Sequence, residues 1–358
     1  MKRIFIYVIF AGLFVFISNL SAAKEEFTKN IQKEFNADNN TSLEINNKFG
    51  KINIVDWDKP TIQINVKITV NHNNKEKAEQ LLDMINVEFS DQGNVIKAVT
   101  QINDKFGTSR GWSDSNGNKD FHIDYQISIP KKITLKLSNR YGNIFVNELE
   151  GLIDVDLKYG DLNINKLSRG DQKPYNNISL AYGKANIEQC NWINLNLSYS
   201  KAFFQSCRTM VVMSKYSKVN IAKANIIAGE SAYDTYVVKD LNNFVITGKY
   251  SDYKIEQISN KIDVDTKYSN LQVDLVLPSF ESINVNNSYG KISLGIDPAA
   301  SYELSANVKY AGINYPQNDR ISIIKRNTET TVTGMVGKQK SNAKVTIKSA
   351  YGGVNLIK

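Results

Sequence analysis

The sequence predicts an all-β chain folded as a single parallel β-solenoid, or β-helix, of about 17-residue coils, with a helix-containing capping insert near its N-terminus. Three observations predict it. An aromatic residue followed by a small one recurs along the chain, the apolar residues around each aromatic have period two, and equivalent residues fall at the same phase in successive units. The landmarks are Phe49-Gly50, Tyr141-Gly142, Tyr159-Gly160, Tyr182-Gly183, Tyr199-Ser200, Tyr216-Ser217, Tyr233-Asp234, Tyr250-Ser251, Tyr268-Ser269, Tyr289-Gly290, Tyr310-Ala311 and Tyr351-Gly352, and 11 of the 18 tyrosines lie on this column. From Tyr141 to Tyr310 the spacings are 18, 23, 17, 17, 17, 17, 18, 21 and 21, the 23 holding a polar insertion from Ser168 to Asn177. A unit this short holds two strands and two corners but cannot bury its own apolar face, so copies must stack as parallel strands about 4.8 Å apart. About twelve coils give a rod of roughly 55–60 Å.

Residues 1–23 read as a secretory signal peptide: Lys2 and Arg3, an apolar run from Ile4 to Ile17, then Ser21-Ala22-Ala23 as a cleavage site. An uncleaved anchor is the alternative, although the run is short for a bilayer span. Cleavage would take the net charge from +8 to +6, and no later segment is long and apolar enough to span, so an exported protein with no transmembrane span is expected, in the periplasm, the envelope or at the cell surface. Residues 24–40 read as a flexible segment. In 41–130, a first coil around Phe49 is followed by Asn73-Asn74-Lys75-Glu76 and Ala78, Leu81, Leu82 and Ile85, a capped helix ending near Val87. A strand pair, Val87–Ser90 and Val95–Ile102, and a polar loop from Asp104 to Asp120 complete the insert.

Residues 131–358 carry the repeats. Apolar residues stand four before the aromatic (Leu137, Val155, Ile178, Leu195) and three, five and eight after it (Ile144, Val146, Leu149). These share a face with the aromatic only if the alternation slips by one at the Gly or Ser, marking a corner. Asn191, Asn225 and Asn242 suit the second corner. Lys344, Lys348 and Lys358 are expected to place charge on the last coil.

The Tyr-Gly-x-Ile-x-Val coils, the helical insert, Phe121-His122-Ile123-Asp124-Tyr125 ahead of Ile129-Pro130, and Gly295 to Tyr302 together resemble the bacterial adhesin-domain family, exported β-solenoid envelope proteins common in Bacteroidetes. The resemblance spans roughly Thr41 to Lys358. It implies an exported, non-enzymatic β-solenoid, and no catalytic residues come with it.

The composition, 42% hydrophobic and 10% aromatic with 2 Cys, excludes disordered, collagen-like and disulfide-stapled classes. Catalytic patterns fail on context. Gly107-Thr108-Ser109-Arg110-Gly111 fits G-x-S-x-G but lies in a polar loop rather than on a strand-to-helix turn. With 2 His no zinc motif forms, and Asp114, Asn116, Asn118 and Asp120 alternate like calcium ligands but have Tyr125 where the bidentate Glu belongs. Asp156, Asp161, Asp252 and Asp265 form no recognisable acid/base pair. No enzyme activity, cofactor or metal is therefore expected.

Three candidate features remain, each with two readings. Cys190 and Cys207 share a phase 17 residues apart, and are either a disulfide or stacked core thiols in place of Leu. The tyrosines (Tyr141, Tyr159, Tyr182, Tyr199, Tyr216, Tyr233, Tyr250, Tyr268, Tyr289, Tyr310) form either an inward or corner ladder that fixes coil register or an exposed strip for stacking sugars; Phe49 in the first slot favours the core reading. Lysines one before or two after the aromatic, namely Lys158, Lys184, Lys201, Lys215, Lys218, Lys249, Lys267 and Lys291, form a basic stripe. Either it contacts an anionic glycan or envelope polymer, or it is a solvated face that keeps strands from pairing. Export and the lack of a recognition motif count against nucleic acid. The two functional classes are an adhesion module using that stripe and a structural envelope protein that docks a protein partner on a face or end, with a polysaccharide-active enzyme a distant third.

Overall fold

The computed structural model describes residues 25–103, 120–338 and 341–357. The leader, the Gly107 to Gly111 motif, Asp114, Asn116, Asn118 and Lys358 lie outside the described residues. The first part of the chain forms β1 (Glu25–Asn36), β2 (Ser42–Lys48), β3 (Ile52–Trp57), β4 (Thr61–His72), α1 (Lys75–Asp83), β5 (Ile85–Gln92), β6 (Val95–Ile102) and β7 (Phe121–Pro130). Short strands follow: β8 (Thr134–Arg140), β9 (Ile144–Leu149), β10 (Ile153–Lys158), β11 (Leu162–Leu167) and β12 (Asn176–Ala181). Next come five long ones, β13 (Lys184–Ser198), β14 (Lys201–Lys215), β15 (Lys218–Ala232), β16 (Thr235–Lys249) and β17 (Asp252–Lys267). The chain ends in β18 (Asn270–Val276), β19 (Ser282–Ser288), β20 (Ile292–Ile296), β21 (Tyr302–Lys309), β22 (Ile313–Asn314), β23 (Ile321–Arg326), β24 (Glu329–Val336), β25 (Lys344–Ala350) and β26 (Val354–Asn355).

Pairing between units is parallel from β8 to β20, and in register except for shifts at Leu241/Asn243 between β16 and β17 and at Val273/Val276 between β18 and β20. Each unit gives one strand to a row that leads into the aromatic corner and one to a row that leaves it; in β13 to β17 a single strand serves both rows, bending at the second corner. Between the rows lies one continuous apolar core built from the predicted phases, for example Leu195, Val212, Ile246 and Val264 four before the tyrosine. In three units a large residue at one of the two positions that flank the corner, two before the tyrosine or three after it, stands with a smaller one at the other. Leu197 is followed by Ala202, Ser231 by Tyr236 and Gly248 by Tyr253, all buried or nearly so.

The structure departs from the sequence reading in four places. Residues 25–36 form β1, antiparallel to β4, where a flexible segment was expected, because Phe27, Ile31 and Phe35 alternate and pack on the core. Helix α1 ends at Asp83 rather than near Val87; Ile85 and Val87 are buried residues of β5. The Asn74 side chain accepts the Lys77 amide at 3.0 Å, capping the helix start, and Ala78, Leu81 and Leu82 are its buried face. Strand β25 does not end the stack: it inserts between β19 and β21, parallel to both, and the outermost strands at that end are β24 and β23, added antiparallel. Lys344 and Lys348 accordingly lie three strands in from the outermost strand at that end, behind β21, β24 and β23.

The fourth departure concerns the aromatic column. Phe49 and all eleven tyrosines have φ between 51° and 62°, the left-handed region. That conformation swings the ring to the outside of the corner, and the next residue takes the inward place. Ser200, Ser217, Asp234, Ser251 and Ser269 are buried there. The rings are therefore corner residues, 41–55% exposed for the tyrosines, and not part of the inward face.

Candidate binding surface

The tyrosine corner is held from inside by hydrogen bonds that repeat from unit to unit. Ser200 N donates to Ser217 Oγ (3.2 Å), Ser217 N to Asp234 Oδ1 (2.7 Å), Asp234 N to Ser251 Oγ (3.1 Å) and Ser251 N to Ser269 Oγ (3.1 Å). The buried Asp234 carboxylate also accepts from Ser214 Oγ (2.7 Å), Ser231 Oγ (2.9 Å) and Ala232 N (2.9 Å), so its desolvation is offset by donors alone. Where Gly follows the aromatic, Asn two residues before it can do the same work: Asn139 Nδ2 reaches the Gly50 and Gly142 carbonyls, and Asn287 Nδ2 those of Ser269 and Gly290.

On the outside the rings stack in the order Phe49, Tyr141, Tyr159, Tyr182, Tyr199, Tyr216, Tyr233, Tyr250, Tyr268, Tyr289, Tyr351, Tyr310, with centroids 4.6–5.2 Å apart and planes within 2–16° of parallel. Each interior ring has both faces turned to a neighbour. Solvent meets ring edges and a row of phenol hydroxyls. Sugar stacking needs an open ring face, so this strip can offer hydrogen bonds along its length but not stacking. Lost solvation, and then the neighbouring Tyr310 and Tyr289, hold the Tyr351 phenol above its ordinary pKa.

The eight lysines of the predicted stripe fall into two columns, one on each side of this ladder. Lys184, Lys201 and Lys218 are direct neighbours in register on the side that leaves the corner; Lys291 continues that side only after Thr235, Asp252 and Asn270. On the other side Lys249 and Lys267 are neighbours, Lys215 is separated from Lys249 by Ala232, and Lys158 stands apart, next to Arg140 and, beyond it, Lys48. Among the described residues none of the eight is within ion-pair distance of a carboxylate, and the Lys215 ammonium lies 5.3 Å from the centre of the Tyr216 ring.

Beside the ladder runs a groove of about 640 Å³ lined by Lys215, Lys249 and Lys267 together with Met213, Glu230 and Thr247. Its depth comes from Ser198 and Ala232, which stand in the lysine column, and from Gly248. The groove residues Met213, Glu230 and Thr247 escaped the sequence reading. The Ser198, Lys215, Ala232, Lys249 alternation at one phase was the available signal for them.

Cys190 and Cys207 face each other in register and are both buried; the contact with Cys207, and then burial, pushes the Cys190 thiol up. Among the described residues no group of three or more His, Cys, Asp or Glu could hold a metal, and no helix is long and apolar enough to cross a membrane.

No family model matches the chain, and no curated protein does. Solved structures similar to it include a putative cell adhesion protein from Clostridium sporogenes (12% identity, 92% of this chain and 99% of that one, TM-score 0.22). Two others come from Parabacteroides distasonis: a putative adhesin (12% identity, 75% and 93% covered, TM-score 0.28) and a putative lipid binding protein (11%, 93% and 97%, TM-score 0.27). At such TM-scores these similarities carry no argument about function, which rests on the surface itself.

Proposed function

We propose that the chain is an exported, non-enzymatic β-solenoid that binds an anionic glycan or envelope polymer along the lysine columns flanking its tyrosine ladder. The observation that carries this reading is the groove in which Lys215, Lys249 and Lys267 stand unpaired beside a row of phenol hydroxyls. A linear polyanion lying along the rod meets cations every one or two units, about 5–10 Å apart, and many weak charge contacts add to a useful affinity. The hydroxyls supply donors and acceptors for sugar or phosphate oxygens at the same repeat. In this reading residues 1–23 direct export, 41–130 close one end of the solenoid with α1, and 131–358 carry the binding face.

The test is binding of the exported chain to a panel of anionic envelope polysaccharides and teichoic acids at low and physiological salt. Changing Lys215, Lys249 and Lys267 together to Glu is expected to weaken binding by at least about tenfold, and physiological salt to weaken it in the parent chain. Binding that neither the triple change nor a matching change of Lys184, Lys201 and Lys218 affects would refute the assignment. A second reading, docking of a protein partner on an end, is favoured by the exposed strand β23.

A further inference from the structure

The outermost strands at the two ends of the row that leads into the tyrosine corner carry opposite charge. In the row leading into the tyrosine corner, β5 is the outermost strand at one end and β23 at the other; among the described residues β5 pairs only with β6, and β23 only with β24. Five of the six residues of β23 are exposed, Ile323 and Ile324 at 43% and 50%. An apolar edge strand with open backbone donors and acceptors is a template for another strand. β23 carries Lys325 and Arg326, whereas β5 carries Glu88 and Asp91.

Strand directions make the two edges compatible. β23 runs with β21, since both are antiparallel to β24, and β21 runs with the body of the row through β25 and β19. β5 runs against that direction, being antiparallel to β6, which is parallel to β2. When two copies are placed end to end, β23 of one therefore meets β5 of the next as an antiparallel pair. The faces match too. Ile323 is on the inward face with Val332, and Phe89 is on the inward face with Ala98; Arg326 and Glu88 are both on the outward face.

We propose that the protein self-associates head to tail, β23 of one copy adding antiparallel to β5 of the next, with Ile323 against Phe89 and Arg326 beside Glu88. The contact joins two different surfaces, so it does not close on itself as a twofold contact does, and it extends the rod into a filament. Backbone hydrogen bonds supply the affinity, as in strand addition, and the charge pair selects β5 as the acceptor edge.

Sedimentation velocity on the exported full chain over a concentration series tests this, with circular dichroism to confirm that each variant is folded. The parent should associate as concentration rises. Glu88→Arg and Arg326→Glu should each weaken association by about tenfold, and the double exchange should restore it. A parent that stays monomeric up to about 100 µM, single exchanges without effect, or a double exchange that fails to restore association would each overturn the proposal. Because neither residue belongs to the lysine columns, glycan binding by the variants reads out the other reading separately.

Discussion

At the scale of single residues, the tyrosine corner balances two opposed terms. A non-glycine residue in the left-handed region costs about 1–2 kcal/mol, whereas each offset ring pair returns about 0.5–1.5 kcal/mol, and an interior ring makes two. Tyr216, with φ of 51° and rings 4.9 and 4.7 Å away, should therefore lose stability on truncation. Tyr216→Gly should be more stable than Tyr216→Ala by about 1 kcal/mol, because only Ala retains the backbone cost. Urea denaturation of the two variants checks this, and the reverse order would contradict the corner geometry. A second residue-scale outcome concerns Tyr302, whose buried hydroxyl has no hydrogen-bond partner among the described residues and whose phenol burial pushes up to about 12. In the unfolded chain that phenol ionises near about 10, so between about pH 10 and 12 the unfolded state binds fewer protons and Tyr302 lowers stability as pH rises. Tyr302→Phe should leave stability at neutral pH unchanged or up to about 1 kcal/mol higher, and lessen the alkaline loss. Urea midpoints near neutral pH and near pH 11 test both statements. The ladder column was legible in the sequence, since nothing but a register explains eleven tyrosines at one phase. Its outward direction was not legible, because period-two reasoning assumes extended backbone at every residue and the positive φ falls on the residue that carries the signal.

At the scale of elements, a small residue on one side of a corner makes room for a large one on the other, as Gly248 does for Tyr253. The Cβ of an alanine at 248 would stand 2.0 Å from the Tyr253 hydroxyl oxygen. Gly248→Ala should then destabilise by about 1–3 kcal/mol, and adding Tyr253→Phe, which removes the obstructing atom, should recover most of it; calorimetry of the two variants and the double is sufficient. A double variant no more stable than Gly248→Ala alone would show that the clash is not what costs. This pairing was readable after the fact as residues five apart, Leu197 with Ala202 and Ser231 with Tyr236. The helix start was legible from Asn74, but its end was not, because Ile85 and Val87 satisfy helical and strand spacing at once and tertiary pairing to β6 decides for the strand. Nor could spacing show β25 entering between β19 and β21, since the 41 residues from Tyr310 to Tyr351 interrupt the repeat.

For the whole molecule, the same charges should act in opposite directions on stability and on binding. Lys184, Lys201 and Lys218 are stacked in register, as are Lys249 and Lys267, and like charges side by side destabilise a sheet. Raising salt from low to physiological should screen them and raise the melting temperature by about 2 °C, while weakening polyanion binding. A melting temperature that fell with salt would indicate that these lysines are paired in solution. The lysine positions of the candidate surface were legible as phases, but their division into two columns was not, because spacing leaves open whether the ladder between them points inward or stands at the corner.

The insertion of β25 and β26 sets an order on assembly. Strand β25 separates β19 from β21, and β26 separates β20 from β22, so residues 299–336 have no direct pairing with the preceding units. As the chain emerges from its N-terminus, that segment can set Tyr302 against Phe280 but cannot pair its strands with the stack until residues 344–355 arrive and wedge between them. Residues 344–355 are therefore the key that locks the segment made before them. A chain cut ahead of residue 344 would keep the stack as far as β20 and leave the segment that carries β23 hanging free.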